Sequence, residues 1–379
     1  MVTRAWSVKE KNDPFVVPSF ETISFSLPSM ENWEDLLKGK EDGWVYLSDG
    51  NPTLAALEAL LAKIQGTERC WVTSTGKSAI AATMLALLKQ GDQVILLKEG
   101  YKSTRLFAQG VLERFGVEVT LIGVDDLPRL EQFIKPDKTR LLVLESPTNP
   151  ITRVPDLYAS AQIAKHYGVT TMLDNSLSGF HQHSEVPVDV IVHSLSKFAS
   201  GVGDVMGGAV LGSNEMIARI KNTNVWNTDA LSTHCAVEIW KGMQTYDLRL
   251  ERQSSNALAI ARFLEKHPRV ERVLYPGLES HPDHTVARRQ MKDFGSVLAF
   301  DTVGGAKVMR QTLDRLRSFK IAFGTGFTQS IANPAWLFYA RSFPEEQVGL
   351  SAINDNTIRL SVGIEAPEQL IADLEQALA

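Results

Sequence analysis

The sequence is poor in features that would assign it to a class early. It holds two cysteines in 379 residues, Cys70 and Cys235. Two thiols in a chain of that length do not make a disulfide framework, so a reducing cytoplasm is the expected location. No apolar run approaches the roughly 18 residues that a membrane span requires. The most apolar helical stretch, AIAATMLALL (79–88), suits a buried core helix instead. The first residues, MVTRAWSVKEKND, lack an apolar core of signal-peptide length. An excess of positive charge is missing too: 39 Lys and Arg stand against 44 Asp and Glu, a net charge of -5. That balance gives no general electrostatic reason to bind nucleic acid or an anionic membrane. Internal repeats and low-complexity segments are also absent.

What is present points to a large folded core. Hydrophobic residues are 44% and charged residues 22%, which excludes wholesale disorder. Residues 1–50 read as irregular, since Pro14, Pro18 and Pro28 break any long helix. A helix is expected over 54–66, closed by Gly66. Short apolar runs then alternate with amphipathic stretches. QVILLKE (93–99), RLLVLES (140–146), TTMLDNS (170–176), VIVHS (190–194) and GGAVLGS (207–213) read as buried strands. Helices are expected between them over 76–89, 104–115, 126–134 and 156–167. This alternation predicts an α/β fold with a mostly parallel, doubly wound sheet. A long helix over 246–266 leads into VERVLYPG, SVLAFDT, IRLSVGI and a closing helix, PEQLIADLEQALA, which read as a smaller α+β domain. The expected division is 1–50, 51–245 and 246–379.

Doubly wound sheets bind ligands at the carboxyl ends of their strands, so the residues there carry the functional reading. HSLSK (193–197) places Lys197 at a strand exit beside Ser194 and Ser196. Such a lysine forms a Schiff base with an aldehyde when burial and nearby cations lower its pKa; alternatively it is a surface lysine. STGKSAI (74–80) opens a helix at Gly76 and Lys77, either a phosphate cradle or a plain cap. Asp174 ends a strand in DNS, either as the partner of a protonated pyridine nitrogen or as a turn residue. Tyr101 follows a third strand, as a stacking platform or a core aromatic. Asn149, in ESPTNP (145–150), follows a fourth, as a donor to a ring oxygen or part of a proline-rich turn. A phosphate cradle, an aromatic platform, a carboxylate and a lysine at successive strand ends make a stronger joint signal than any one of them.

With those residues in place, the chain resembles the cystathionine γ-synthase, cystathionine γ-lyase and methionine γ-lyase group of pyridoxal-phosphate enzymes, the Cys/Met metabolism family. The resemblance covers nearly the whole chain. It is carried, in family order, by NPTLAALE (51–58), ESPTNP, HSLSKF, GDVMGG (203–208), YPGLESHP (275–282) and IRLSVGIE (358–365). It implies a fold-type I pyridoxal-phosphate transferase architecture. Lys197 would hold pyridoxal 5'-phosphate as a Schiff base, and Asp174 would keep the ring nitrogen protonated. Tyr101 would stack on the ring and assist proton transfer. Gly76, Lys77, Ser194 and Ser196 would hold the phosphate, and Asn149 the ring hydroxyl. Arg359 would grip the substrate α-carboxylate, assisted by Ser330 and Asn149. Tyr46 would reach the phosphate of a neighbouring subunit, so the site would be shared in a dimer, within a homotetramer built as a dimer of dimers. The implied activity is γ-elimination on a small amino acid, breaking a Cγ–S or other Cγ–X bond. The alternatives are γ-replacement, as in cystathionine or homocysteine synthases, and a catalytically retired scaffold.

The pattern departs from the family in particular places. Relatives carry Tyr-x-Arg before the NPT segment, where this chain has Ser48 followed by Asp49. Lys77 stands where relatives have Met, and takes over the phosphate charge in this reading. Gln329 replaces the Glu of cystathionine-handling relatives, and Ser103 the Cys of methionine γ-lyases. A specialised substrate is therefore expected. HQH (181–183) and HPDH (281–284) lack a third ligand at suitable spacing and read as exposed loop histidines, with no metal. Cys70 is expected in the core, and Cys235 has no partnering base.

Overall fold

A computed structural model of the chain describes residues 15–224, 229–340 and 353–379. β1 (Arg69–Thr73), β2 (Gln93–Leu97), β3 (Glu118–Ile122), β4 (Thr139–Glu145), β5 (Thr170–Asp174), β6 (Val190–Ser194) and β7 (Gly208–Gly212) form one sheet, ordered β1-β7-β6-β5-β4-β2-β3. Only β7 runs antiparallel to its neighbours, β1 and β6. A second sheet, ordered β10-β11-β12-β9-β8, contains β8 (Val270–Leu274), β9 (Val297–Thr302), β10 (Lys320–Ile321), β11 (Ile331–Pro334) and β12 (Thr357–Ser361). The helices are α1 (Met30–Leu37), α2 (Pro52–Gln65), α3 (Gly76–Leu87), α4 (Lys102–Phe107), α5 (Leu157–His166), α6 (Asn214–Thr223), α7 (Thr233–Met243), α8 (Tyr246–Glu265), α9 (His284–Gln290), α10 (Gly305–Arg315), α11 (Ala335–Ala340) and α12 (Pro367–Leu378).

Double winding explains the unbroken apolar runs. Alternate residues of a strand face opposite sides, so a sheet covered on both sides needs apolar residues at every position. On β7, Ala209 and Leu211 enter the core under α2 and α7, while Val210 enters the core under α3 and α6. On β2, Val94 and Leu96 join that second core, and Ile95 and Leu97 a third one with α5. The helix boundaries follow local chemistry. The Asn51 side chain caps α2 by accepting the Thr53 N–H at 2.8 Å, Pro52 sits in the first turn, and Gly66 ends the helix at φ 77°. α8 joins the two sheets: Tyr246 and Leu250 pack with the first, and Ala257, Ile260, Ala261 and Leu264 with the second.

Several expectations need correction. The helix expected over 104–115 is α4 followed by a π-helical stretch, Ala108–Leu112, and a 3₁₀ turn, Glu113–Phe115. Gly110 lies within the π-helical stretch, where it weakens regular helix. The helix expected over 126–134 is a 3₁₀ segment, Val124–Gln132, broken at Arg129 after Pro128. α1 lies within the segment read as irregular; Ser29 starts it by accepting the Asn32 N–H at 3.1 Å. Pro14 falls outside the described residues. The HQH and HPDH histidines are not exposed loop residues. His183 and His281 are buried, and burial holds each imidazole down to about 4. His181 pairs with Asp293 at 2.6 Å, and His284 donates to the Pro276 carbonyl at 2.8 Å. Among the described residues no group of three or more His, Cys, Asp or Glu could hold a metal ion. No helix among them is long and apolar enough to cross a membrane. Cys70 is buried and both thiols are free.

Candidate active site

The carboxyl ends of β1, β2, β4, β5 and β6 meet at one edge of the first sheet. A cavity of about 450 Å³ opens there, with its far wall built from the second sheet. Gly76, Lys77, Tyr101, Asn149, Asp174, Ser194, Ser196 and Lys197 line it from the first sheet, and Arg359 from β12. Residues from Gly76 to Lys197 thus face one volume from the first sheet, because parallel strands deliver their exit loops to the same side.

The cradle at the start of α3 depends on a close approach. A Cβ on Gly76 would stand 2.7 Å from Ser194 Cβ, so only glycine lets α3 start directly against the β6 exit. Thr75 caps this helix by accepting the Ser78 N–H at 3.0 Å, and the other first-turn amides have no acceptor within the helix. Gly208 is similarly constrained: a Cβ there would collide with the Thr75 carbonyl. This explains the GDVMGG segment, which slots β7 between β1 and β6. Ser196 ties the lysine loop to that segment, its hydroxyl accepting the Gly207 N–H at 3.0 Å.

Lys197 lies on a braced turn. The Gly201 N–H donates to the Lys197 carbonyl at 2.9 Å, and buried Arg249 donates to the Phe198 carbonyl at 2.9 Å. Burial, then the Arg359 and Lys77 charges, hold the Lys197 amine below the ordinary lysine range. Asp174 is buried, and burial raises its carboxyl above the usual range. One of its oxygens accepts the Ser176 N–H at 3.0 Å; the Ser176 hydroxyl in turn accepts the Ser194 N–H at 2.8 Å. The Tyr101 phenol is raised by burial, while a hydrogen bond with Ser103 opposes that shift. Arg359 is 5% exposed and donates to the Gly324 carbonyl at 2.9 Å.

Two expected residues lie elsewhere. Ser330 is fully buried behind the cavity wall. Its hydroxyl donates to Glu365 at 2.8 Å and accepts the Gly363 N–H at 2.8 Å, so it braces the loop rather than lining the cavity. Tyr46 is 48% exposed and does not line this chain's own cavity. Sequence reasoning passed over Glu145, which lines the cavity beside Asp174. The available signal was a carboxylate ending an apolar strand, the same feature that singled out Asp174. It also passed over Ser176, which links Asp174 to Ser194.

These groups fit pyridoxal phosphate by their own chemistry. A glycine-bounded helix start suits a phosphate dianion, a desolvated amine suits an aldehyde, and a buried carboxylate suits a pyridinium N–H. The comparisons agree. The chain is 34% identical to an L-methionine gamma-lyase of Pseudomonas putida, over 100% of this chain and 96% of that protein. It is 34% identical to an O-succinylhomoserine sulfhydrylase of Pseudomonas aeruginosa, over 95% of this chain and 90% of the other. Its structure superposes with TM-score 0.93, at 25% identity, on a crystal structure of a Campylobacter jejuni protein described as an O-acetylhomoserine (thiol)-lyase, covering 100% of this chain and 98% of that one. That crystal structure contains N'-pyridoxyl-lysine-5'-monophosphate. Residues 2–379 match the family described as Cys/Met metabolism PLP-dependent enzyme, and with a site built for that cofactor the chain belongs to this family.

Proposed function

We propose that the protein breaks a Cγ–S or other Cγ–X bond of a small amino acid by γ-elimination, with one water consumed to give a 2-oxo acid, ammonia and the released thiol or leaving group. The observation that carries this reading is one half-buried amine, Lys197, sharing a cavity with the Asp174 carboxylate and the Arg359 guanidinium. Pyridoxal phosphate, bound through Lys197, supplies an electron sink conjugated to the substrate Cα. Arg359 binds the substrate carboxylate through a paired, charge-assisted contact and orients the Cα–H bond. Once the substrate amine had displaced it from the cofactor, the Lys197 amine, which burial and the neighbouring cations shift towards its unprotonated form, would take the Cα proton. Asp174 would hold the ring nitrogen of the cofactor in its protonated form. Tyr101, with Ser103 on its phenol, stands as the proton donor to the departing group.

Gly76, Lys77, Ser194 and Ser196 hold the phosphate in this reading, and Asn149 the ring hydroxyl. Among the described residues that line the cavity, the lysines and arginines are Lys77, Lys197 and Arg359. Lys197 is committed to the aldehyde and Arg359 stands on the opposite wall, which leaves Lys77 for the phosphate. Lys77→Met should weaken cofactor binding about tenfold, since a charge-assisted hydrogen bond contributes roughly 1.5–3 kcal/mol and this side chain is partly solvated. Titrating apoprotein by tryptophan fluorescence measures this; an unchanged dissociation constant sends Lys77 to solvent.

Tyr46 is assigned to the cofactor phosphate of a second copy. Support comes from the segment around it: α1 has no buried residue, and Met30, Trp33 and Leu37 are exposed. A dimer, assembled further into a tetramer, would cover that apolar surface. The two free thiols suit a cytoplasmic location.

The second reading is γ-replacement, in which a thiol adds at Cγ. Its support is the apolar lining formed by Met206, Phe323 and Phe327, which suits an incoming thiol. Methionine and O-acetyl-, O-succinyl- and O-phosphohomoserine, each with and without a thiol, separate the two. Oxo acid and ammonia without thiol support elimination. A thioether formed only when thiol is present supports replacement. A protein that acquires no visible absorption band with pyridoxal phosphate would be the retired scaffold.

A further inference from the structure

We propose that Glu145 is a positioning residue: its single carboxylate sets the spacing between Tyr101 and Asn149 across the cofactor slot. The inference rests on reading those two residues as ring contacts. Glu145 is the last residue of β4 and pairs in register with Asp174 on β5. It is 7% exposed and lines the cavity. One carboxylate oxygen accepts the Tyr101 N–H at 2.5 Å, and the other accepts the Asn149 N–H at 2.8 Å. Tyr101 opens α4 after β2, whereas Asn149 follows β4, so the carboxylate joins two exit loops that have no covalent reason to keep a fixed separation. Two acceptors in one planar group leave little freedom to the amides they hold.

The choice of a carboxylate is informative. Burial and the adjacent Asp174 charge both raise the Glu145 carboxyl well above its usual range, and the Tyr101 and Asn149 amides, with the Arg359 charge, oppose them. A serine or glutamine would satisfy a helix-start amide without placing a second charge beside Asp174. What neither supplies is two equivalent acceptors, one for each loop. The slot is therefore gauged by a group that is costly to bury, at the point where the platform and the edge contact of the ring must match to within about half an ångström.

Glu145→Gln tests this. Glutamine keeps the shape and one acceptor, but turns an NH₂ towards the other amide. Borohydride should still trap cofactor on the chain in wild-type stoichiometry. The visible circular dichroism of the bound cofactor should fall at least twofold, and kcat should fall about 10- to 100-fold with KM changed less than threefold. Wild-type dichroism with wild-type kcat, or a raised KM with kcat intact, overturns the proposal. Gly100→Ala is a second route that leaves the carboxylate chemically unchanged: its Cβ would stand 3.2 Å from the Leu97 carbonyl oxygen and 3.3 Å from the Glu145 oxygen that holds Tyr101. It should shift the dichroism in the same direction by a smaller amount; if Glu145→Gln does not fold, unchanged dichroism and kcat in Gly100→Ala overturn the proposal. A wild-type protein that fails to take up cofactor would instead overturn the functional reading.

Discussion

Lys197→Ala abolishes turnover, with an expected loss of at least about 10³-fold, because one amine performs two tasks. In the proposed reading it is the attachment point for the cofactor aldehyde and, once displaced by substrate, the base that moves the Cα proton. The fold should survive. The side chain ends in the cavity, and the bonds that shape its loop are main-chain or come from the Ser196, Ser200 and Arg249 side chains. Borohydride treatment followed by denaturation should leave cofactor on the wild-type chain and none on the variant. Retention of covalent label together with activity would show that another amine does the work. The lowered pKa adds a pH prediction with a definite sign. The unprotonated amine is the nucleophile, and burial, Arg359 and Lys77 favour that form. Apoprotein should therefore recapture pyridoxal phosphate at pH values where an ordinary lysine is protonated and slow. Removing a cation by Lys77→Met should move the onset of recapture to higher pH.

The site was legible in the sequence to the extent that it lies on strand exits. Buried parallel strands read as continuous apolar runs, so the polar residues in the few positions after each run are conspicuous, and Lys197, Asp174, Tyr101 and Asn149 were found that way. β3 was not marked, because as an edge strand it is half-polar and only Ile122 is buried. Glu145 ends an apolar run as Asp174 does and was passed over all the same; what the sequence does not carry is its role. Its environment, two amides from separate loops and a neighbouring carboxylate, exists only after β2, β4 and β5 align. Ser330 shows the opposite failure: a hydroxyl in a substrate-facing loop turns inward to Glu365, and nothing in the local sequence distinguishes the two orientations. The HQH and HPDH histidines looked solvated because they sit among turn residues, yet contacts with residues over 100 positions away bury or pair them, as with His181 and Asp293. Position along a strand survives in the sequence; orientation at a meeting of loops does not.

Asp174→Asn should lower kcat by about 10²- to 10³-fold while leaving the cofactor attached. The argument rests on what burial does to charge. In the apoprotein the Asp174 carboxyl is raised by burial, with only Ser176 hydrogen bonds opposing it. A pyridinium N–H placed against it supplies the missing opposite charge. An opposite charge within about 4–6 Å shifts a pKa by roughly 1–3 units, and each unit is about 1.4 kcal/mol, a factor of ten in the protonated fraction. Asparagine keeps the size and can still accept the Ser176 N–H, so the geometry survives while the ring nitrogen loses its reason to stay protonated. The electron sink weakens accordingly, and the Cα proton becomes harder to remove. A cofactor methylated on the ring nitrogen carries its positive charge permanently. It should restore much of the lost rate to Asp174→Asn and add little to the wild type. Ser176→Ala provides the scale: it removes the hydroxyl's hydrogen bonds to Asp174 and Ser194 but no charge, and should cost no more than about tenfold. If Asp174→Asn turns over within threefold of the wild type, the charge at position 174 is not what sustains the chemistry, and the residue serves only to shape the floor of the cavity.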